Sequence, residues 1–412
     1  MGCASSASEP ANVSHPQPQV CLRSNRTSSR DFHDEYLLGK KLGCGAYAQI
    51  RLAVKPDFCE IPKKYAVKII DTKHMKEDAR RFKRHFELME ESIWTCIGQH
   101  ANCVYLHEVF HGESFSYLVM EKCASSLPRY IVGLPLHHKF TECNLGQILL
   151  QMLQGIAHLH SFQIVHADIK PDNVMMGGEY GNIAKLGDFG LAFRLPKAGK
   201  LKGEVGTAPY MSPEMICAQR YDDKTDIWSF GVTAYVLLFG TFPYMSQHMF
   251  WCREARNNSM KMAIRQGYRP AFSPARTSKS RCDYRTFAAV TFVKTLLSYT
   301  VNERPSALEA LKLEFMDGIA RSRHAVGVDL PSLQPMVWSA AGFGALTISQ
   351  EFAVEEMDGH FNALQVEKHG VPLPNPRLLG KLVNNPKRHS EIKFSRHGTC
   401  VGSELDSEVC SI

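Results

Sequence analysis

The sequence predicts an α+β chain with a strand-rich N-terminal part and a larger, mainly helical C-terminal part. Three observations carry this. Short runs rich in β-branched and aromatic residues lie between Tyr36 and Met120. From Leu145 onward, apolar residues recur at helical spacing instead. A chain of 412 residues, 44% hydrophobic and 22% charged, has ordinary globular composition and is long enough for a two-lobed core with tails.

Charge and cysteine usage narrow the class. The net charge of +7 is modest and spread out. It does not imply nucleic-acid binding, and a mildly basic face near an anionic membrane is equally compatible. The 13 cysteines contain no C-x-x-C pair and no zinc-like grouping with His. They read as reduced cytosolic thiols. The longest apolar stretch, Val232 to Phe239, is far too short to span a bilayer.

Residues 1 to about 33 hold few apolar groups and are expected to be unstructured. The segment starts Met1-Gly2-Cys3-Ala4-Ser5-Ser6, which fits the N-myristoylation pattern at Gly2 with Ser6 at its hydroxyl position. Cys3 offers a palmitoylation site, and two acyl chains anchor stably where one does not. Arg23, Arg26 and Arg30 add weak attraction to anionic lipid. The expectation is a cytoplasmic protein held at a membrane by acylation.

The elements then follow in order. Tyr36 to Leu42 alternates loosely and reads as a strand. In Gly43-Cys44-Gly45-Ala46, two glycines permit close backbone approach to a phosphate. Tyr65 to Ile70 is an apolar strand carrying one cation, Lys68, which needs an anionic partner. Arg80 to Ile97 places Phe86, Met89, Ile93, Trp94 and Ile97 on one helical face. Its Glu87, Glu90 and Glu91 compete for the role of partner. Tyr105 to Val109 and Tyr117 to Met120 read as two further strands, and Leu149, Leu150, Leu153, Ile156 and Leu159 define a helix from Leu145 to His160.

The next stretch carries chemistry. His166-Ala167-Asp168-Ile169-Lys170-Pro171-Asp172-Asn173 is followed 15 positions on by Asp188-Phe189-Gly190. One carboxylate can orient a hydroxyl nucleophile. An amide and a second carboxylate can hold Mg²⁺, and a lysine can neutralise a moving phosphate. The pair resembles the catalytic loop and metal-binding motif of eukaryotic protein kinases. Three more segments share the resemblance: Gly206 to Glu214 with the end of an activation segment, Asp226 to Gly231 with the central buried helix, and Asn302 to Ser306 with the closing motif. Lys170 and Thr207 are typical of the Ser/Thr type. Leu237-Leu238 and Phe242-Pro243-Tyr244 look most like the calcium/calmodulin-dependent group.

The resemblance spans about residues 36 to 317 and implies a bilobal kinase fold. It places a β-rich N-lobe with one regulatory helix at about 34–121, a helical C-lobe at about 122–318, and an extension of unnamed fold at 319–412. It implies Asp168 and Lys170 as catalytic residues, with Asn173 and Asp188 holding Mg²⁺. ATP would meet Leu42, Gly43, Cys44, Gly45, Ala46 and Ile50 around the glycine-rich loop, then Ala66 and Lys68. Glu121 and Cys123 would form the hinge, with Met120 behind the adenine and Met175 beneath it. Glu90 is the implied partner of Lys68, because Ile93, Trp94 and Ile97 stand three, four and seven residues after it. His166 and the Arg304–Glu214 pair are implied to be structural.

The implied function is transfer of the ATP γ-phosphate to Ser or Thr hydroxyls of proteins. The alternative is a pseudokinase serving as a nucleotide-binding or scaffold module. Ala48 in place of a third glycine, and Ala167 in place of the usual Arg, speak for it. The retention of Lys68, Asp168, Lys170, Asn173 and Asp188 weighs more.

Ala167 also bears on control. In regulated kinases an Arg there meets a phosphate on the activation loop. From Leu191 to Gly206 this chain has no Ser, Thr or Tyr to carry one. Both halves of the latch are missing, so control is expected from membrane attachment, the tail or a partner. The same loop sets Arg194, Lys197, Lys200 and Lys202 against Glu204 alone. That balance suits a solvated loop, acidic substrates or an anionic surface, whereas Asp172 argues mildly for basic substrates.

In the tail, Trp338, Phe343, Leu346, Ile348 and Phe352 suggest either a helix docked on the large lobe or an inhibitory segment. No D-x-D-x-D-G calcium loop is present. Lys387, Arg388, Lys393 and Arg396, with Ile392 and Phe394, read as a solvated basic run, with calmodulin binding as the alternative.

Overall fold

A five-stranded antiparallel sheet forms the first lobe of the computed structural model, in the order β1-β2-β3-β5-β4. The described residues are 31–44, 48–56, 62–71, 77–112, 114–134, 140–196, 199–244, 253–272 and 286–321, with 332–334, 336–337 and 340. The chain divides into units 1–348 and 349–412, and the second lies outside the described residues.

The lobe runs α1 (Phe32–Glu35), β1 (Leu37–Cys44), β2 (Ala48–Lys55), β3 (Lys63–Asp71), α2 (Glu77–Ile97), β4 (Leu106–His111) and β5 (Phe115–Glu121). Side chains alternate across a sheet, so each strand divides between two faces. Ala53, Val67, Ile69, Phe110, Tyr117 and Val119 form one buried cluster with Phe32 and Tyr36. Ile70, Leu106 and Leu118 join the main core with Ile93, Trp94 and Ile97 of α2. Helix α2 ends at Gly98, whose φ of 61° suits a left-handed cap.

Folded structure begins three residues before the expected domain edge at residue 34. Asp31 caps α1, accepting from the His33 N–H at 2.9 Å. Phe32 is buried and stacks on Tyr117 with ring centroids 4.4 Å apart. An aromatic side chain placed before the first strand covers a face that would otherwise meet water.

The second lobe contains β6 (Ser125–Ser126), α3 (Leu127–Val132), α4 (Glu142–Ser161), β7 (Ile164–Val165), β8 (Val174–Gly177), β9 (Ile183–Leu186) and β10 (Phe193–Arg194). Then follow α5 (Pro213–Ile216), α6 (Lys224–Phe239), α7 (Arg253–Arg265), α8 (Phe287–Leu296), α9 (Ala307–Ala310) and α10 (Glu314–Arg321). Helix α4 starts with a capping box between Thr141 and Asn144. Helix α6 is buried from Thr225 to Phe239 and stops at Gly240, with φ 73°. Such a helix has no solvent face, so it forms the centre of the lobe. The bilobal α+β architecture expected from the sequence is the one observed.

Beyond the expected boundary at about 318, part of the extension packs on the large lobe. Leu333, Val337 and Ala340 are buried in the main core. Leu333 N–H donates to the Phe140 carbonyl at 2.6 Å, and Gln334 Nε2 donates to the Leu134 carbonyl at 3.0 Å. The first part of the extension therefore completes the large lobe. The apolar residues at 343–352 and the basic run at 387–396 lie outside the described residues. No helix among the described residues is long and apolar enough to cross a membrane.

Candidate active site

Antiparallel pairing aligns one row of residues across the sheet. Gly43 pairs with Ile50, Ile50 with Lys68, and Lys68 with Leu118. Two positions along β3, Ala66 pairs with Met120. Directly paired residues share a face, so Ile50, Ala66, Lys68 and Met120 all lie on the side toward the second lobe. Ile50 is half-buried there, and Leu42 is half-buried at a bulge of β1 just before Gly43. Gly45 and Ala46 lie outside the described residues, as does the side chain of Cys44.

Lys68 reaches α2. Its Nζ donates to Glu90 Oε1 at 2.6 Å and Oε2 at 2.9 Å, and to Asp188 Oδ1 at 3.2 Å. Glu87 and Glu91 are used elsewhere: Ser116 Oγ donates to Glu87 at 3.2 Å, and Glu91 meets His111 Nε2 at 2.9 Å. Burial alone would lower the Lys68 ammonium, but the Glu90 and Asp188 carboxylates outweigh it and raise its pKa. Burial and the nearby Asp188 push the Glu90 carboxyl up against the pull of Lys68. For Asp188, burial is overcome chiefly by Lys68, and the carboxyl sits below its ordinary range. The Asp188 side chain is 59% exposed and opens on the cleft between the lobes, whereas Glu90 is 5% exposed.

The loop from His166 to Asn173 is a dense polar cluster. Lys170 Nζ donates to Asp168 Oδ2 at 2.6 Å and to Thr207 Oγ1 at 2.7 Å. Thr207 donates from Oγ1 to Asp168 Oδ1 at 2.7 Å and from its backbone N–H at 2.9 Å. Asn173 Nδ2 donates to the Asp168 carbonyl at 2.8 Å and to Oδ2 at 2.9 Å. His166 Nδ1 accepts from the Asp168 N–H at 3.3 Å, so Nε2 donates to the Gly187 carbonyl at 3.1 Å. Both ring nitrogens are thus spent inside the fold. Phe189 lies between Trp94 and His166, with centroids 5.3 and 5.4 Å away. This packing connects α2 to the catalytic loop.

Ala167 stands in a left-handed turn with φ 62°. A non-glycine residue there costs roughly 1–2 kcal/mol. Asp226 on α6 holds the turn: its carboxylate accepts the N–H of His166 and of Ala167, each at 2.9 Å. It also meets His160 Nε2 at 2.9 Å. Asp226 is 0% exposed. The residue has work independent of its motif, and one signal could have shown it. A lone carboxylate inside an otherwise apolar buried helix needs donors. On the other side, Gly206 (φ 95°) packs so closely that a Cβ would collide with the Ala167 carbonyl oxygen. The loop at 167 is therefore fixed through its backbone, and a methyl side chain suffices.

Around the hinge, Glu121 Oε2 pairs with Lys185 at 3.0 Å, and the Glu121 N–H donates to the Tyr105 carbonyl at 2.8 Å. Lys185 was not singled out from the sequence. Cys123 is half-buried beside Gly177, and its thiol is pushed up to about 12, first by burial and then by Glu121. Met175 is half-buried on β8.

The chain matches the protein kinase domain family over residues 36–316. It belongs to the protein kinase family. Among curated relatives, this kinase is 29% identical over 313 residues to "Calcium-dependent protein kinase 4" of Plasmodium berghei. That alignment covers 74% of this chain and 53% of the relative. It is 30% identical over 302 residues to "Calcium/calmodulin-dependent protein kinase type II" of Caenorhabditis elegans, covering 73% of this chain and 38% of the relative. The kinase thus spans about half the length, or less, of these proteins. Its likeness runs to the calcium-dependent and calcium/calmodulin-dependent group.

A protein kinase domain uses ATP and a divalent cation, and the residues present fit both. No φ constraint and no neighbour within 4 Å requires glycine at Gly43, so the open space there suits a ligand. Asn173 spends its amide nitrogen on Asp168, so its amide oxygen and the exposed Asp188 carboxylate are the oxygens that would hold a cation. Among the described residues no group of three or more His, Cys, Asp or Glu could hold a metal alone. A hard cation held by few protein oxygens, with phosphates completing its shell, is the Mg²⁺ pattern.

Proposed function

We propose that this protein is an active Ser/Thr protein kinase, with Asp168 orienting the attacking hydroxyl. The observation that carries this is the single cluster of Asp168, Lys170, Asn173 and Thr207, with Lys68 linked to both Glu90 and Asp188. In this reading Asp168 accepts the substrate proton and Lys170 offsets charge on the moving phosphoryl group. Lys68 positions the nucleotide phosphates, while Asn173 and Asp188 hold Mg²⁺. Bound Mg-ATP supplies the phosphoryl group and neutralises its charge. Leu42, Ile50, Ala66, Met120 and Met175 give apolar walls for adenine, with Glu121 and Cys123 at the hinge. The intact cluster favours this over a pseudokinase. Activity without activation-loop phosphorylation follows from a loop that has no acceptor.

The decisive experiment is Mg-ATP phosphorylation of a generic protein substrate by wild type and Asp168→Asn. A loss of roughly 10²–10⁴-fold is expected. Equal rates would overturn the enzyme and leave the scaffold. Cytoplasmic membrane attachment through Gly2 and Cys3, which lie outside the described residues, belongs to the same proposal. Release of Gly2→Ala from membranes would support it, and unchanged binding would refute it. For the 387–396 run, a solvated tail is proposed, with calmodulin capture as the alternative; no Ca²⁺-dependent pull-down is expected, and capture would overturn the solvated reading.

A further inference from the structure

Between Gly199 and Glu204, a backbone bridge and a set of ion pairs hold the activation segment against the large lobe. Leu201 and Tyr221 form an antiparallel bridge, exchanging N–H···O bonds of 2.7 and 2.9 Å. Glu204 pairs with Lys261 and with Arg265, the latter at 3.4 Å. Arg265 also donates to the Ile216 carbonyl at 3.0 Å. The single acid of the segment is therefore already engaged by α7.

The bridge has a consequence for charge. Tyr221 is buried and Leu201 half-buried, so the flanking positions alternate outward. Extended by one residue on either side of this isolated bridge, antiparallel register would face Lys202 with Arg220 and Lys200 with Asp222. The second pair is complementary. The first sets like charges side by side, an arrangement that disfavours pairing. Lys202 and Arg220 are both exposed. Among the described residues, no carboxylate is paired with either.

These cations lie close to the transfer site. Gly206 abuts the Ala167 carbonyl, and Thr207 donates to Asp168. Lys202 precedes Gly206 by only four residues, a span of at most about 14 Å. A substrate peptide covers that distance in about four or five extended residues. Asp172, which would argue for basic substrates, is half-buried and already interacts within the chain.

We propose that Lys202 and Arg220 form a subsite for an anionic group, carboxylate or phosphate, on the peptide that presents the acceptor hydroxyl. The proposal rests on the phosphotransfer reading above. An anion between the two cations relieves their repulsion, so the site is unfavourable when empty and improved when filled. The negative group falls within about five residues of the acceptor.

The test compares three serine peptides that share one neutral sequence. One is neutral throughout, one carries glutamates at two to five residues on either side, and one carries a phosphoserine there. The glutamate and phosphoserine arms separate the two sources of negative charge. Expected kcat/KM is about three- to tenfold above the neutral peptide, higher for phosphate. In Lys202→Glu/Arg220→Glu the acidic-to-neutral ratio falls to one or below. A second measurement needs no variant: the acidic preference of wild type shrinks as salt rises. Equal kcat/KM for all three peptides, a preference that persists in the double variant, or one indifferent to salt would overturn this inference alone. No transfer to any peptide would overturn the phosphotransfer reading.

Discussion

The catalytic loop and the activation segment lie against each other, yet different physics holds them. The loop from His166 to Asn173 is fixed by buried groups: Asp226, the His166 ring and the Asn173 amide. The segment from Gly199 to Gly206 is mostly exposed, held by one bridge, the ion pairs of Glu204 and the partial packing of Leu201 and Val205 on the core. Buried hydrogen bonds to a charge are costly to lose, because the orphaned groups have no water to turn to. Exposed ion pairs exchange readily with solvent. In the proposed reading the chemistry therefore rests on a firmly held frame, and the surface that would meet a substrate rests on contacts that can be changed cheaply.

Removing the frame should have the largest effect. Asp226→Ala leaves the N–H groups of His166 and Ala167 without an acceptor. It should cost about 3 kcal/mol or more, read as a fall in the urea midpoint, with loss of transfer. A cost under about 1 kcal/mol would show that the turn at Ala167 holds itself. Next comes the link between the lobes. Glu90→Gln keeps the shape but removes the charge facing Lys68, and kcat/KM should drop roughly tenfold or more. The fold should remain, as judged by an unchanged circular dichroism spectrum.

The latch should matter less. Glu204→Ala releases Lys261 and Arg265, but stability should change by no more than about 1 kcal/mol. A larger loss in Tm would place the segment in the same class as the catalytic loop.

The smallest effect concerns acidity. His100 stacks on His158 at 4.2 Å, and its Nδ1 accepts the Asn102 N–H at 3.1 Å. Burial first, then the charges of His158 and Lys185, lowers its pKa. A group with a depressed folded pKa contributes stability that is complete above its unfolded value, near 6.5, and is lost as pH falls toward the folded one. Tm should therefore slip slightly below about pH 6.5, and less so in His100→Gln.

Legibility in the sequence followed range. Glu90 could be chosen through the resemblance to kinases, which puts apolar residues three, four and seven positions after the partner glutamate, where Ile93, Trp94 and Ile97 stand on one helical face. The cluster of Asp168, Lys170 and Asn173 was readable for the same reason: its members sit within one short loop. Asp226 carried a signal, a carboxylate among apolar residues, but its donors are some 60 residues away. The α1 aromatic cap and the docking of Leu333, Val337 and Ala340 were missed. A single Phe, or three apolar residues a few turns apart, has no local meaning until the face it covers exists.

By itself the sequence determined the family, the alternating strands, the buried central helix and the residues able to handle a phosphoryl group. These depend on periodicity and on chemistry carried along short stretches of chain. Only the tertiary structure decided that Asp226 takes over the backbone of Ala167, that Glu204 turns to α7, and that Leu201 bridges Tyr221. Each joins segments distant in sequence, and pairing among exposed or buried charges is set by which elements pack together. That choice belongs to the whole core, not to any one stretch.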